Sequence, residues 1–418
     1  MKRGLQFIAF LMLAVIPASA MSAEFAGGPR PEPQNLRWRS PVIHIAVSTS
    51  LSSQNPSIKA DSDVLSALKR SLDAWRTVTG LEFKIETTDR QNVSSAAAQG
   101  DGVSLITIAP TQENLQLFAQ DPFGESARTR VFYNRRGAIT EGDIVLNPLQ
   151  QFSTDGTYGT FDLETTLSHE IGHLLGLKHS VVEGSIMAER IPRNGDFYFG
   201  PRTPTEADVA AVRELYGVEN DSCCGSVSGK LTVQGKPAKG LTVWAEDAEG
   251  RVAAQAEAAA DGTYRIGGLP RAKYQIYWQR HDAGGTSTGE LGSASIEDNS
   301  QVTLSKRISG DPNDVSLNFI GLDLSPGDAA ITLKPGRQYT ICFAGHGFPD
   351  GITSVAFSSK LITADLSSIA KQDFGEKLDA SSLKITVDAD IPAGVYTLYA
   401  TRRDGSRSAI IGGVVVSK

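Results

Sequence analysis

The sequence predicts an α+β domain over residues 36–219 followed by two all-β sandwich modules, over 225–308 and 311–418. Three observations carry that prediction. Helical periods at 63–78, 163–175 and 205–215 lie among short strand-like runs, an α+β pattern. Past Asn220 the helical period gives way to short alternating runs punctuated by Gly, Asp and Pro, the texture of β-sandwiches. A chain of 418 residues also has length for two to four domains.

Taken in order, the chain begins with a targeting pattern. Lys2 and Arg3 form a basic start, 7–16 is a short apolar run, and Pro17-Ala18-Ser19-Ala20 offers an A-x-A cleavage site, so residues 1–20 read as a signal peptide cut after Ala20. The apolar run is too short to span a bilayer, and no later stretch reaches the roughly twenty apolar residues a span needs. Export to the medium or periplasm is expected. Residues 21–35 form a short N-terminal segment, too short to fold as an inhibitory propeptide. The net charge of −7, without a lysine/arginine patch, argues against a nucleic-acid partner.

The densest chemistry lies in His169-Glu170-Ile171-Gly172-His173-Leu174-Leu175-Gly176-Leu177-Lys178-His179, which holds three of the six histidines. His169 and His173, four apart, share one face of a helix with Cβ atoms roughly 5–6 Å apart. Both imidazoles can then reach one ion at about 2.0–2.1 Å. Gly176 comes where a helix ends in a left-handed residue, so the chain turns and delivers His179 from another direction. Three nitrogens and one open position make the catalytic zinc arrangement, with Glu170 beside the open position as general base. Leu174, Leu175 and Leu177 read as the apolar side that buries the helix.

This H-E-x-x-H-x-x-G-x-x-H pattern is the metzincin form of the zinc motif. The family places a methionine in a tight turn beyond the third ligand, and Ser185-Ile186-Met187-Ala188 supplies it. Within that family the chain most resembles the matrixins, from about Leu36 to Gly217. Leu36-Arg37-Trp38 with Val42-Ile43-His44-Ile45-Ala46-Val47 is similar to the first strand, Ser71-Leu72-Asp73-Ala74-Trp75 to the first helix, and Leu81-Glu82-Phe83 to the next strand. Gly142-Asp143-Ile144-Val145-Leu146-Asn147 resembles the strand before the zinc helix, Ser180 fits the matrixin branch, and Thr205-Glu206-Ala207-Asp208-Val209 with Leu215-Tyr216-Gly217 resembles the closing helix. The resemblance implies a twisted mixed sheet with an active-site helix. It also implies one catalytic Zn2+ on His169, His173 and His179, with Met187 as the apolar floor beneath it.

The sequence departs from the family in two respects. No histidine lies between His44 and His169, so the family's second, structural zinc is not expected, and the cysteine-switch motif is missing. Calcium, common in matrixins, would take oxygen ligands such as Asp121, Asp143 or Asp155; none is assigned.

The first β module holds Val227–Val233, 240–245, then Asp261-Gly262-Thr263-Tyr264-Arg265-Ile266 and Gly268-Leu269-Pro270, and resembles the carboxypeptidase regulatory-like, transthyretin-like sandwich. The second alternates at 330–333, 354–357 and 383–387 and closes with Gly394-Val395-Tyr396-Thr397-Leu398-Tyr399-Ala400, which is loosely similar to an immunoglobulin-like strand pair. His281 and His346 sit alone and read as surface or packing residues. Three cysteines leave the pairing open: one of Cys223 and Cys224 bridged to Cys342, or the adjacent two joined.

The function expected is that of a secreted zinc endopeptidase acting on protein or peptide substrates, which would lie extended along an edge strand. The β modules would then place it on a polymer or surface, or act as spacers. The other class weighed is an exported adhesion or binding protein, with the β modules as its working end; the intact Glu170 and ligand set favour the enzyme.

Overall fold

The computed structural model describes residues 24–26 and 35–417, apart from 53, 96–98, 196–199, 218–222, 283–284, 309–314, 349–353 and 375–377. The expected signal peptide, and residues 219–222 between the first domain and the first β module, lie outside the described residues.

The first part is built on a seven-stranded mixed sheet. Its strands are β1 (Glu24–Ala26), β2 (Arg37–Trp38), β3 (Val42–Ser48), β4 (Glu82–Thr88), β5 (Ser104–Thr107), β6 (Ala127–Tyr133) and β7 (Ala138–Leu146). The order is β1-β6-β7-β5-β3-β4, with β2 beside β7. Pairing is parallel except where β6 runs antiparallel to β7. β6 was not anticipated from the sequence. Its alternation is real, but Arg128 and Arg130 occupy one face and disguise it; both are nevertheless buried.

Helices α1 (Val64–Thr79), α2 (Gln112–Gln116), α3 (Leu163–Leu174) and α4 (Glu206–Tyr216) complete this part. The long ones fall within a residue of the predicted periods, and the offset has a cause. Asp63 and Thr205 are caps standing just outside their helices: Asp63 accepts the Ser66 N–H, and Thr205 is bonded by Asp208. α1 is amphipathic and ends at Gly80, where φ is +69°. It buries Leu68, Leu72 and Trp75 against α3, and the Trp75 indole N–H donates to the Ser168 carbonyl at 2.8 Å. Every residue of α3 is buried, so the helix is held on all sides. The core packs Ile43, Ile45 and Val47 of β3 against Leu167, Ile171 and Leu174 of α3. Each such side chain is worth roughly 1.5–3 kcal/mol of burial.

The remainder is β-rich, in two pairs of facing sheets. In the first pair, Gly225–Val233 and Thr263–Leu269 face the sheet of Thr242–Glu246, Val252–Glu257, Ala272–Asp282 and Gly285–Ile296. Their core holds Val227, Ile266, Val243 and Ile276. In the second pair, the sheet centred on Gln338–His346 faces one centred on Arg407–Val416 and Gly394–Thr401. That core holds Phe343, Leu383, Leu398 and Val414.

The three parts are not strung apart as separate modules. α4 rests on the first sandwich, with Arg251–Glu206 at 3.1 Å and Arg265–Glu214 at 2.7 Å. The sandwiches meet through Glu246, which accepts from Tyr399 at 2.6 Å, and through Arg407, whose guanidinium lies 6.0 Å from the Tyr277 ring centroid. A small apolar cluster joins all three, drawing Val182 and Ala207, Trp244 and Val252, and Val395 and Ile411 together. Cys223 is disulfide-bonded to Cys224, which settles the pairing left open by the sequence, and Cys342 is a free thiol buried in a central strand.

Candidate metal centre and its cleft

α3 starts at Asp162, whose carboxylate accepts the Thr165 N–H at 2.9 Å. It carries His169 and His173 one turn apart, both buried. The helix stops at Leu175, and Gly176 takes φ of +94°. A Cβ there would come 2.1 Å from the Leu36 carbonyl oxygen, so only glycine lets the chain turn so close to that strand. The turn closes with the Leu177 N–H on the Gly172 carbonyl at 3.0 Å, and His179 returns to face the helix.

The three ring systems converge. The His173 and His179 Nε2 atoms are 3.1 Å apart, and one ligating nitrogen from each of the three histidines lies within 4.8 Å of the others. Nitrogens around one tetrahedral zinc at 2.0–2.1 Å stand about 3.3 Å apart. Main-chain carbonyls orient two of the rings: His169 Nδ1 donates to Ile186 at 2.8 Å, and His173 Nδ1 donates to Leu177 at 2.9 Å. With Nδ1 protonated, each Nε2 lone pair is left for the centre, the usual outer-shell arrangement of a metal-binding histidine. Burial lowers all three histidines, His169 to about 3 and His179 to about 4, so they stay neutral at physiological pH. This donor set, three neutral imidazoles with no carboxylate among them, fits zinc.

Met187 is buried beside Gly172 of α3, 2% exposed. A Cβ at Gly172 would meet its sulfur at 2.2 Å, so the bare helix position is what admits the thioether. The turn carrying Met187 is shaped by a residue whose role the sequence did not reveal. Asp208 of α4 accepts from the Ser185 hydroxyl, from the Ile186 N–H at 3.1 Å and from the Thr205 N–H at 2.8 Å. Asp208 also closes a capping box with Thr205 at the start of α4.

Glu170 points beside the histidines, 3% exposed. Its Oε2 accepts from the Thr129 hydroxyl of β6 at 2.5 Å. Burial pushes its carboxyl up to about 7, against the opposing pull of the Thr129 bond. These groups open on a cleft of about 650 Å³, walled by residues 124–129 on one side and 189–192 on the other.

Residues 37–217 match the matrixin family model. The matrixin domain therefore contains the whole histidine cluster. Metalloendoproteinase 1 of Glycine max is 25% identical over 198 residues, covering 44% of this chain and 53% of that protein. Matrilysin of Mus musculus is 26% identical over 189 residues, covering 45% of this chain and 62% of that protein. Serralysin of Photorhabdus is 26% identical over 215 residues, covering 45% and 37%. The chain thus spans about half the length of the first curated relatives it matches.

Outside the cluster, the acids named for calcium are occupied by protein donors. Asp143 accepts from Ser94 and Leu105 N–H groups at 2.8 and 3.0 Å, Asp121 accepts from Gly124, and Asp155 accepts from Thr157 and Lys59. No helix of the described residues is long and apolar enough to cross a membrane.

Proposed function

We propose that the protein is an exported zinc endopeptidase in which His169, His173 and His179 hold the metal and Glu170 is the general base. One observation supports this above the rest: three neutral imidazoles converge at the floor of a cleft with a buried carboxyl beside them. Zinc bound there supplies Lewis-acid polarisation of the scissile carbonyl and acidifies a water. Glu170 takes a proton from the attacking water and passes it to the leaving amine, so water adds across the amide and the peptide bond breaks. Thr129 holds the Glu170 carboxyl in place through its hydroxyl. The outer edge of β6 at 127–129, beyond the stretch paired with β1, gives an extended peptide main-chain partners. The leader pattern at 1–20 supports export.

The test is cleavage of a peptide library by the purified protein, before and after chelation and after zinc is returned. Cleavage that stops with chelator and returns with zinc is expected. His173→Ala should lose both the metal and the activity. Full zinc by elemental analysis in that variant overturns the ligand assignment.

A further inference from the structure

The cleft wall contains two residues from far outside the matrixin domain. Asp328 and Ala329 of the second sandwich line the same cavity as His169, Glu170 and His179. Asp328 forms an ion pair with Arg190, the residue three beyond Met187. The same sandwich also grips the loop between His179 and Met187. The Glu183 N–H donates to the Ile411 carbonyl at 2.9 Å, and Val182 is fully buried beside Val395 and Ile411. The loop that carries Met187 is therefore fastened to a strand of the second sandwich.

Charge in this corner is uneven. The charges that act on the Glu183 carboxyl are those of Asp328 and Glu189, opposed by that of Arg190. The Glu183 carboxyl is pushed up to about 7 by burial first, then by Asp328 and Glu189, which places all three acids within electrostatic reach. Glu189, Arg190 and Asp328 all face the cavity, and the latter two side chains are about half exposed, at 64% and 49%. A substrate side chain entering there meets the carboxylates of Glu189 and Asp328 against one guanidinium, Arg190, which Asp328 itself pairs.

We infer that the second sandwich is a working wall of the substrate cleft and that Asp328, with Glu189, selects substrates carrying a cationic side chain at one position near the scissile bond. This rests on the peptidase reading above. It assigns the C-terminal β region a part in choosing the peptide. Tethering to a polymer is not needed to account for it.

The test uses the full chain loaded with zinc. Specificity is read as relative kcat/KM across a peptide library varied at each position around the cut. The unmodified protein is expected to favour Lys or Arg over Ala at one position. Asp328→Ala should shrink that preference by about fivefold, the scale of a partly exposed ion pair, and Asp328→Lys should reverse it toward Asp or Glu. Asp328 is half exposed, so the fold tolerates both changes; melting temperature and zinc content confirm that. Profiles of both variants that superimpose on the unmodified protein's overturn the inference while leaving the peptidase reading intact. Failure of the zinc-loaded unmodified protein to cut any peptide overturns the underlying reading instead.

Discussion

Glu170 and Glu246 are equally buried, each 3% exposed, and burial raises the carboxyl pKa of both. Their surroundings differ. Glu246 takes the Trp244 indole N–H at 2.9 Å and the Tyr399 hydroxyl at 2.6 Å, donors from two different sandwiches. Glu170 takes one hydroxyl, from Thr129, and otherwise faces the cleft and its histidines. A buried carboxyl whose donors are all built into the protein is a fastener. One that keeps acceptor capacity toward a cavity is available to chemistry. Burial alone does not distinguish the two; the partner list does.

Substitution breaks the comparison most sharply at Glu170. Glu170→Ala should keep its zinc and its melting temperature while losing about 10²–10⁴ in kcat, because the base is gone and the ligands remain. Near-normal turnover would place Glu170 in the fastener class.

Glu246→Ala should do the opposite. Two buried donors lose their acceptor, at a cost of about 3 kcal/mol in unfolding free energy. Chemical denaturation should show the loss, with kcat/KM per folded molecule retained. Unchanged stability would mean that water replaces the carboxyl and that the seam does not depend on it.

Thr129→Val sharpens the comparison with a smaller effect. The hydroxyl donates to the ionised carboxylate and so lowers the Glu170 pKa; removing it raises that pKa. More of the base is then protonated at a given pH, and the acid limb of the kcat/KM profile should move to higher pH. A pH–rate profile on zinc-loaded protein reads the shift, and movement to lower pH would show that the bond favours the neutral form.

What the sequence disclosed followed the range of the interaction. α3, its histidines and the Gly176 stop were legible because they depend on spacing within eleven residues. Met187 needed a family resemblance, since nothing local says what a turn eight residues past His179 will pack against. Asp208 was visible only as part of the closing helix, and its hold on Ser185 and Ile186 was not legible. β6 was hidden because two arginines broke its alternation, and Thr129 was lost with it. Asp328 could not have been found at all. Its partner Arg190 is 138 residues away, and a loop aspartate without its surroundings is simply a solvated charge. The alternating runs indicated β modules, and the C-terminal region is β-rich. They carried no sign that the sandwiches pack on the first domain, because seam residues such as Val395 and Ile411 look like any other strand interior.

The bond from Glu183 to Ile411 also orders events in time. A chain made or exported from its N-terminus presents the zinc helix long before residues 407–416 exist to secure the loop carrying Met187. Local contacts such as those within α3 form early, whereas a pairing this distant in sequence closes last. On the proposed peptidase reading, competence to cut then trails emergence of the catalytic helix. Release of stalled chains of increasing length into a peptide assay would show activity rising only once that strand is out.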